Sequence, residues 1–253
     1  MALVRCDFFS DALEVGTAMT VVIPQATTAQ IGVDPSAGQQ RELPVLYLLH
    51  GLSDDNSAWL RHSSVERYAA ERGVAVVMPQ VDRSFYADVP GGGQYWTFLT
   101  EELPQVVRSF FRFSTRPADT FVGGLSMGGY GALKWALKQP ERFAAAVSLS
   151  GALAVVELSH GERKPVFDRA FGGTPGPDDD LFALLERADT SAVPPLYVGC
   201  GTDDPLHGSN VRFVAAAQRL GLDVHVDDRP GGHEWALWDA MLPDVLAWLP
   251  LSQ

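Results

Sequence analysis

The sequence predicts an α/β fold, a doubly wound and mostly parallel sheet with helices on both faces, and three observations carry this. Short runs rich in branched and aromatic residues alternate with segments of helical spacing, the pattern of strands joined by crossing helices. Most of these runs are apolar at consecutive rather than alternate positions, as strands covered on both faces are. The chain has 253 residues, 46% of them hydrophobic, enough to bury one large core, so residues 1–253 are expected to form a single domain.

Taken in order, LPVLYLLHG (43–51), VAVVMPQV (74–81), TFVGGLS (120–126), FAAAVSLSG (143–151) and PPLYVGCG (194–201) are the buried strands. DVHVDD (223–228) alternates in polarity and reads as a strand nearer the edge. Between them, VERYAAERG (65–73), ELPQVVRSFF (102–111), MGGYGALKWALKQP (127–140), SNVRFVAAAQRLG (209–221) and EWALWDAMLPDVLAWL (234–249) have helical spacing with Gly or Pro near their ends. No internal repeat or low-complexity tract interrupts the pattern. FGGTPGPDDD (171–180), inside the long connection between Gly151 and Pro194, reads as a solvated surface excursion, with a small lid within 152–190 as the alternative.

Charge and hydropathy exclude several classes of function. Nineteen basic residues against 31 acidic ones leave a net charge of −12. Such a surface repels phosphate backbones and anionic lipid, so neither nucleic acid nor membrane is an expected partner. The longest nearly apolar stretch, FAAAVSLSGALAVV (143–156), is shorter than the roughly 20 residues a membrane-crossing helix needs. The N-terminal MALVRCDFF lacks the apolar core and cleavage site of a signal peptide. Cys6 and Cys200 make no disulfide framework and lack metal-ligand spacing, so both read as small hydrophobes and the cytoplasm as the expected compartment. The sequence leaves room for a homo-oligomer.

Chemistry concentrates in FVGGLSMGGYGALKWAL (121–137), where Gly123, Gly124, Gly128, Gly129 and Gly131 crowd Ser126. GLSMG (124–128) fits the G-x-S-x-G nucleophile elbow, a sharp strand-to-helix turn that strains the serine and exposes its hydroxyl above the sheet. In a chain with 24 glycines the pattern alone is weak. Its context decides, since an apolar strand precedes it and a helical run follows, as the motif demands.

An activated serine needs a base, and the base needs an acid to hold its tautomer, in the chain order Ser, Asp or Glu, His. YVGCGTDDPL (197–206) is an apolar strand ending in two carboxylates, so Asp203 or Asp204 stands at the carboxyl edge. DDRPGGHEWALW (227–238) puts His233 after the last strand. His62, His160, His207 and His225 have no such setting. His233-Glu234 begins the zinc motif H-E-x-x-H, but Leu237 occupies the second ligand position, so no metal is expected. Oxyanion donors are expected from the backbone N–H of Met127, after the nucleophile, and of Leu52 in LLHGLSDD (48–55), where His50 braces the loop.

YLLHGLSDDNSAWL, DRSFYAD, EELPQVV, GGLSMGGYGALK, GTDDPL and GGHEW, in this order and at these separations, resemble the esterase D branch of the α/β-hydrolases across almost the whole chain, least from about 152 to 190. The resemblance is greatest to the bacterial tributyrin esterase and acetyl esterase types, whose relatives include S-formylglutathione hydrolases and mycolyltransferases. It implies an α/β-hydrolase fold, a Ser126, Asp204, His233 triad, and Leu52 and Met127 as oxyanion donors. It favours Asp204 over Asp203 because the family's acid stands three residues after the glycine ending its strand, here Gly201. The position of Asp204 before Pro205, which restricts its backbone, points the same way. S-formylglutathione hydrolases carry a cysteine shortly after the His-Gly-Leu stretch, which HGLSDD lacks.

The expected activity is a serine carboxylesterase on small-molecule short-chain acyl esters, working through an acyl-enzyme and requiring no cofactor. A thioesterase of the S-formylglutathione type and an acyltransferase are the alternatives. Trp59, Phe85, Tyr86, Tyr95, Trp96 and Trp235 fall in loops flanking the site. Trp59, Tyr86, Trp96 and Trp235 are the expected acyl-pocket residues.

Overall fold

The computed structural model describes residues 1–27 and 42–251. Strands β1 (Ala2–Ser10), β2 (Val15–Ile23), β3 (Val45–Leu49), β4 (Ala75–Pro79), β5 (Thr120–Leu125), β6 (Ala145–Leu149), β7 (Leu196–Gly201) and β8 (Val224–Arg229) form one sheet in the order β1-β2-β4-β3-β5-β6-β7-β8. From β4 to β8 every neighbouring pair is parallel; β1 and β2 join as antiparallel strands. The α/β expectation therefore holds, and the strand alternating in polarity lies at the edge.

The hairpin of β1 and β2 is a structural element that the sequence pattern did not announce. Along β1, Val4, Cys6 and Phe8 turn toward the core while Arg5 and Asp7 face out. Leu3 and Phe9 are also exposed, at 54% and 65%, and these two apolar residues on the solvent face blur the period-two signal.

Parallel strands covered on both faces need apolar residues at every position. In β3, Tyr47 and Leu49 pack toward the helix Met127–Lys138, whose Tyr130, Leu133 and Trp135 share their core. Leu46 and Leu48 turn the other way, to the helices Val65–Arg72 and Trp235–Trp248. Among the described residues no helix is long and apolar enough to cross a membrane.

The connection between β6 and β7 is irregular and mostly exposed over residues 172–180, within the run read as a solvated excursion, but is helical on either side of it. It holds the helices Val155–Leu158, Lys164–Phe171 and Leu181–Arg187, which bury Phe167, Ala170, Leu181 and Leu185. Phe167, Ala170 and Phe171 recur at helical spacing, a stripe overshadowed in the sequence by the neighbouring Gly, Pro and Asp residues. The buried Lys134 anchors this segment through a 2.6 Å ion pair to Asp179, whose carbonyl accepts the Tyr130 hydroxyl at 2.8 Å.

Candidate active site

Ser126 stands between β5 and the helix Met127–Lys138 with φ 54° and ψ −116°, a region that costs a non-glycine residue on the order of 1–3 kcal/mol. The surroundings hold it there: its N–H donates to the Leu149 carbonyl at 2.9 Å, and its own carbonyl accepts the Ala152 N–H at 3.0 Å. The flanking glycines answer to close approach. A Cβ on Gly128 would stand 2.3 Å from the Leu49 carbonyl oxygen, and one on Gly124 would stand 2.5 Å from the Gly128 backbone. A side chain at either position would push the helix off the sheet.

The structure brings three sequence-predicted residues into one hydrogen-bonded line. His233 Nε2 is 3.0 Å from Ser126 Oγ, and His233 Nδ1 is 2.8 Å from Asp204 Oδ2. The carboxylate can only accept, so Nδ1 carries the proton and Nε2 is left to accept from the serine hydroxyl. The Asp204 side chain is fully buried, and its other oxygen accepts the Leu206 N–H at 2.8 Å. Burial alone would raise this carboxyl. The hydrogen bonds from His233 and Leu206 outweigh it and hold Asp204 below its ordinary range, as a carboxylate. Asp203 is exposed and turned out of the line.

Ser126 and His233 open onto a cavity of about 490 Å³ that Leu52 and Met127 also line. Neither the Leu52 nor the Met127 backbone N–H has an acceptor among the described residues. The Met127 amide is free because it opens a helix. The Leu52 amide is aimed by His50. The Val81 N–H donates to His50 Nε2 at 3.2 Å, so Nδ1 is the protonated nitrogen and donates to the Gly51 carbonyl at 2.8 Å. Burial is the main force on this imidazole and lowers its pKa, keeping it neutral.

The aromatic residues expected around the acyl group are elsewhere. Trp59 is buried on the other face of the sheet, donating its indole N–H to Leu49 and meeting Trp235 edge-on at 5.1 Å. Tyr86 is fully buried; its hydroxyl donates to the His50 carbonyl, and Gly131 leaves room for its ring. Trp96 lies under the Lys134 ammonium, 4.5 Å from its ring centre. Tyr95 donates its hydroxyl to Asp82. Only Phe85 of that group lines the cavity. Phe85 and Tyr86 both have positive φ, and this backbone twist sends one ring to the cavity and the next into the core.

Pro205 and Leu206 add to the apolar wall, and the β6–β7 connection supplies Ala152, Leu158 and Phe167, with Glu157, Glu162 and Arg163 on the same lining. Phe167 packs 4.6 Å from Phe85, with Phe171 behind both. These residues of the β6–β7 connection were missed as site residues. The helical stripe at Phe167, Ala170 and Phe171 was the signal that could have found them.

The sequence model described as putative esterase matches residues 23–249. An acetyl esterase of Caldicellulosiruptor saccharolyticus is 30% identical to the chain, over 98% of each. Among solved structures, the substrate-bound fluorophosphonate-binding serine hydrolase F of Staphylococcus aureus superposes with a TM-score of 0.89 at 32% identity, over 99% of each chain. The S-formylglutathione hydrolase of the same organism gives 0.85 at 31%, also over 99% of each.

Proposed function

The chain belongs to the putative-esterase family and is a serine hydrolase, a carboxylesterase of the α/β-hydrolase fold; from that premise we propose that it cleaves short-chain acyl esters with Ser126 as nucleophile, His233 as base and Asp204 as the acid that orients it. The observation that carries this reading is the Asp204–His233–Ser126 hydrogen-bonded line ending in a cavity that presents two uncommitted N–H groups.

In this reading Ser126 Oγ attacks the ester carbonyl carbon as its proton passes to His233 Nε2. The carbonyl oxygen becomes an oxyanion that accepts from the Leu52 and Met127 amides, donors already oriented before the charge develops. Collapse expels the alcohol, which takes the proton from His233, and leaves the acyl group on Ser126. Water then gives a proton to His233 and attacks the acyl carbon, and the second collapse releases the acid and returns the proton to Ser126. Asp204, held ionised, stabilises the imidazolium in both halves.

The short-chain preference, of the tributyrin or acetyl esterase kind, is supported by the packed Phe85–Phe167–Phe171 wall. A cavity of about 490 Å³ lies in the range that encloses a whole small ligand, so acyl and alcohol parts both fit. The cytoplasmic setting is part of the proposal and is supported by the two free thiols, half-buried Cys6 and buried Cys200. Hydrolysis of S-formylglutathione is the second reading, favoured by the likeness to the staphylococcal enzyme. A panel of p-nitrophenyl acyl esters of rising chain length, run beside S-formylglutathione, tests both. A kcat/KM maximum between acetyl and butyryl is the expected result. A rate still climbing at dodecanoyl would overturn the short-chain reading, and a dominant S-formylglutathione rate would replace ester with thioester.

A further inference from the structure

A second cavity, of about 200 Å³, lies at the opposite pole of the sheet from Ser126, where β3 and β5 begin. Its apolar wall is formed by Val45, Val107, Phe113, Trp135 and Phe143. Trp135 meets Phe143 edge-on at 5.0 Å and Tyr47 at 5.5 Å, so the wall is largely aromatic. Nothing in the reaction at Ser126 uses this space.

Its polar lining is mixed: the Ser114 and Thr120 hydroxyls donate to Asp119 and to the Arg116 carbonyl, whereas Tyr47 and Arg108 are uncommitted. Tyr47 is only 5% exposed and lines the cavity, yet its hydroxyl has no hydrogen-bond partner among the described residues. The hydroxyl oxygen is not one of the enclosed unpartnered atoms, so it opens onto the cavity, where it can donate to water or to a ligand. Burial pushes this phenol up to about 12, with Arg108 and Arg142 pulling the other way, so at neutral pH it remains an O–H donor. Arg108 lines the cavity and has no ion pair among the described residues. Arg142 gives one N–H to the Thr100 carbonyl at 2.8 Å, leaving most of its five donors free. Glu141 is the one carboxylate on the lining, so two guanidiniums face one acid in a chain of net charge −12.

We propose that this cavity is a binding site for a small aromatic carboxylate of about the size of benzoate. Aromatic walls favour a planar ring packed face or edge against them. Donors from Tyr47, Arg108 and Arg142 outnumber the one carboxylate on the lining, Glu141, and so favour an anion, and the guanidinium fork matches the two oxygens of a carboxylate. The volume is smaller than the roughly 300–1,000 Å³ of pockets for drug-sized ligands, which limits the occupant to a single ring. The site is independent of the assignment made for Ser126.

Calorimetric titration with benzoate tests it, performed on enzyme whose Ser126 has first been blocked by an organophosphate so that the active-site cavity contributes nothing. The expected result is one site with a millimolar or tighter Kd, weakened about tenfold or more by Arg108→Gln or Arg142→Gln, as for loss of a charged hydrogen bond. Tyr47→Phe, which keeps the ring, should weaken it severalfold, and neutral benzamide should bind at least about tenfold less tightly than benzoate. Arg108 is exposed, so Arg108→Gln should leave both the fold and esterase kcat unchanged. Absence of binding up to about 20 mM benzoate, equal affinity for benzamide, or affinities unmoved by the arginine substitutions would each overturn the proposal. Binding seen only on unblocked enzyme would also overturn it, by assigning the benzoate to the cavity at Ser126.

Discussion

His50 donates its Nδ1–H to the carbonyl of Gly51 at 2.8 Å, and by doing so it sets the direction of the Leu52 amide. In a trans peptide the C=O of one residue and the N–H of the next point in opposite directions, and the structure contains no cis peptide bond among the described residues. A carbonyl held toward His50 therefore turns the Leu52 N–H away from it, toward the cavity. The Tyr86 hydroxyl ties the His50 carbonyl at 2.8 Å, and Lys134 in turn ties the Tyr86 carbonyl at 3.1 Å.

His50→Gln is accordingly expected to lower kcat by about ten- to a hundredfold, less than the 10²–10³ lost when an oxyanion donor is removed outright. KM should change little, since the contact forms fully only as charge develops on the substrate oxygen. Steady-state kinetics on a p-nitrophenyl acetate series check this; a rise in KM at constant kcat would show that His50 shapes the pocket rather than the donor.

The same imidazole gives stability a distinct pH dependence. Its folded pKa lies below the ordinary 6.5 because of burial, so the unfolded chain takes up the proton first as pH falls. Its contribution is thus fully present above about 6.5 and is lost as pH drops through the lower, folded value. Asp204, also lowered from its ordinary 3.8, acts in a separate window, its contribution being present above that value and lost as pH falls further. Melting temperatures of wild type and His50→Gln, followed from about pH 7.5 to 5, should diverge in slope only below about 6.5, with the variant flatter. Parallel curves would contradict the role given to His50.

Ser126→Ala should fold normally and lose esterase activity by several orders of magnitude. Stoichiometric labelling by an organophosphate should fall on Ser126 and not on Ser148 or Ser150, which have no exposed surface. Because φ at this position is 54°, Ser126→Gly should melt above Ser126→Ala, by the equivalent of about 1 kcal/mol, as the strain it relieves exceeds the added freedom of the unfolded chain. Equal melting temperatures would show that the elbow is not strained.

Asp204→Asn should lower kcat by about 10³- to 10⁴-fold with little change in fold, since an amide facing Nδ1 favours the wrong histidine tautomer. Asp203→Asn, at an exposed position outside the hydrogen-bonded line, should cost less than about tenfold. A larger loss at Asp203 than at Asp204 would assign the acid to the wrong carboxylate.

The elbow was legible because it is local. Strand, turn and helix occupy consecutive residues around Ser126, and the glycines that the turn and its close contacts require are visible in the sequence. The edge at which Asp204 and His233 emerge was legible for a related reason, since each follows a strand of the parallel sheet, β7 apolar throughout and β8 alternating in polarity. The hairpin of β1 and β2 was not, because exposed Leu3 and Phe9 hide its alternation.

The sequence by itself determined the fold class, the order of the parallel strands along the chain, and Ser126 and His233, all of which follow from short-range pattern and strand connectivity; that pattern left Asp203 and Asp204 both open, and the family resemblance together with Pro205 favoured Asp204. Tertiary structure alone decided which aromatic rings line the cavity. Phe85 and Tyr86 are adjacent and chemically alike, yet one faces the cavity and the other the core. That division depends on positive backbone angles held by distant contacts, Tyr86 against Gly131 and His50, and Phe85 against Phe167. A composition or a spacing cannot encode it, because the direction of a side chain leaving an irregular loop is set by what packs against that loop from elsewhere in the chain.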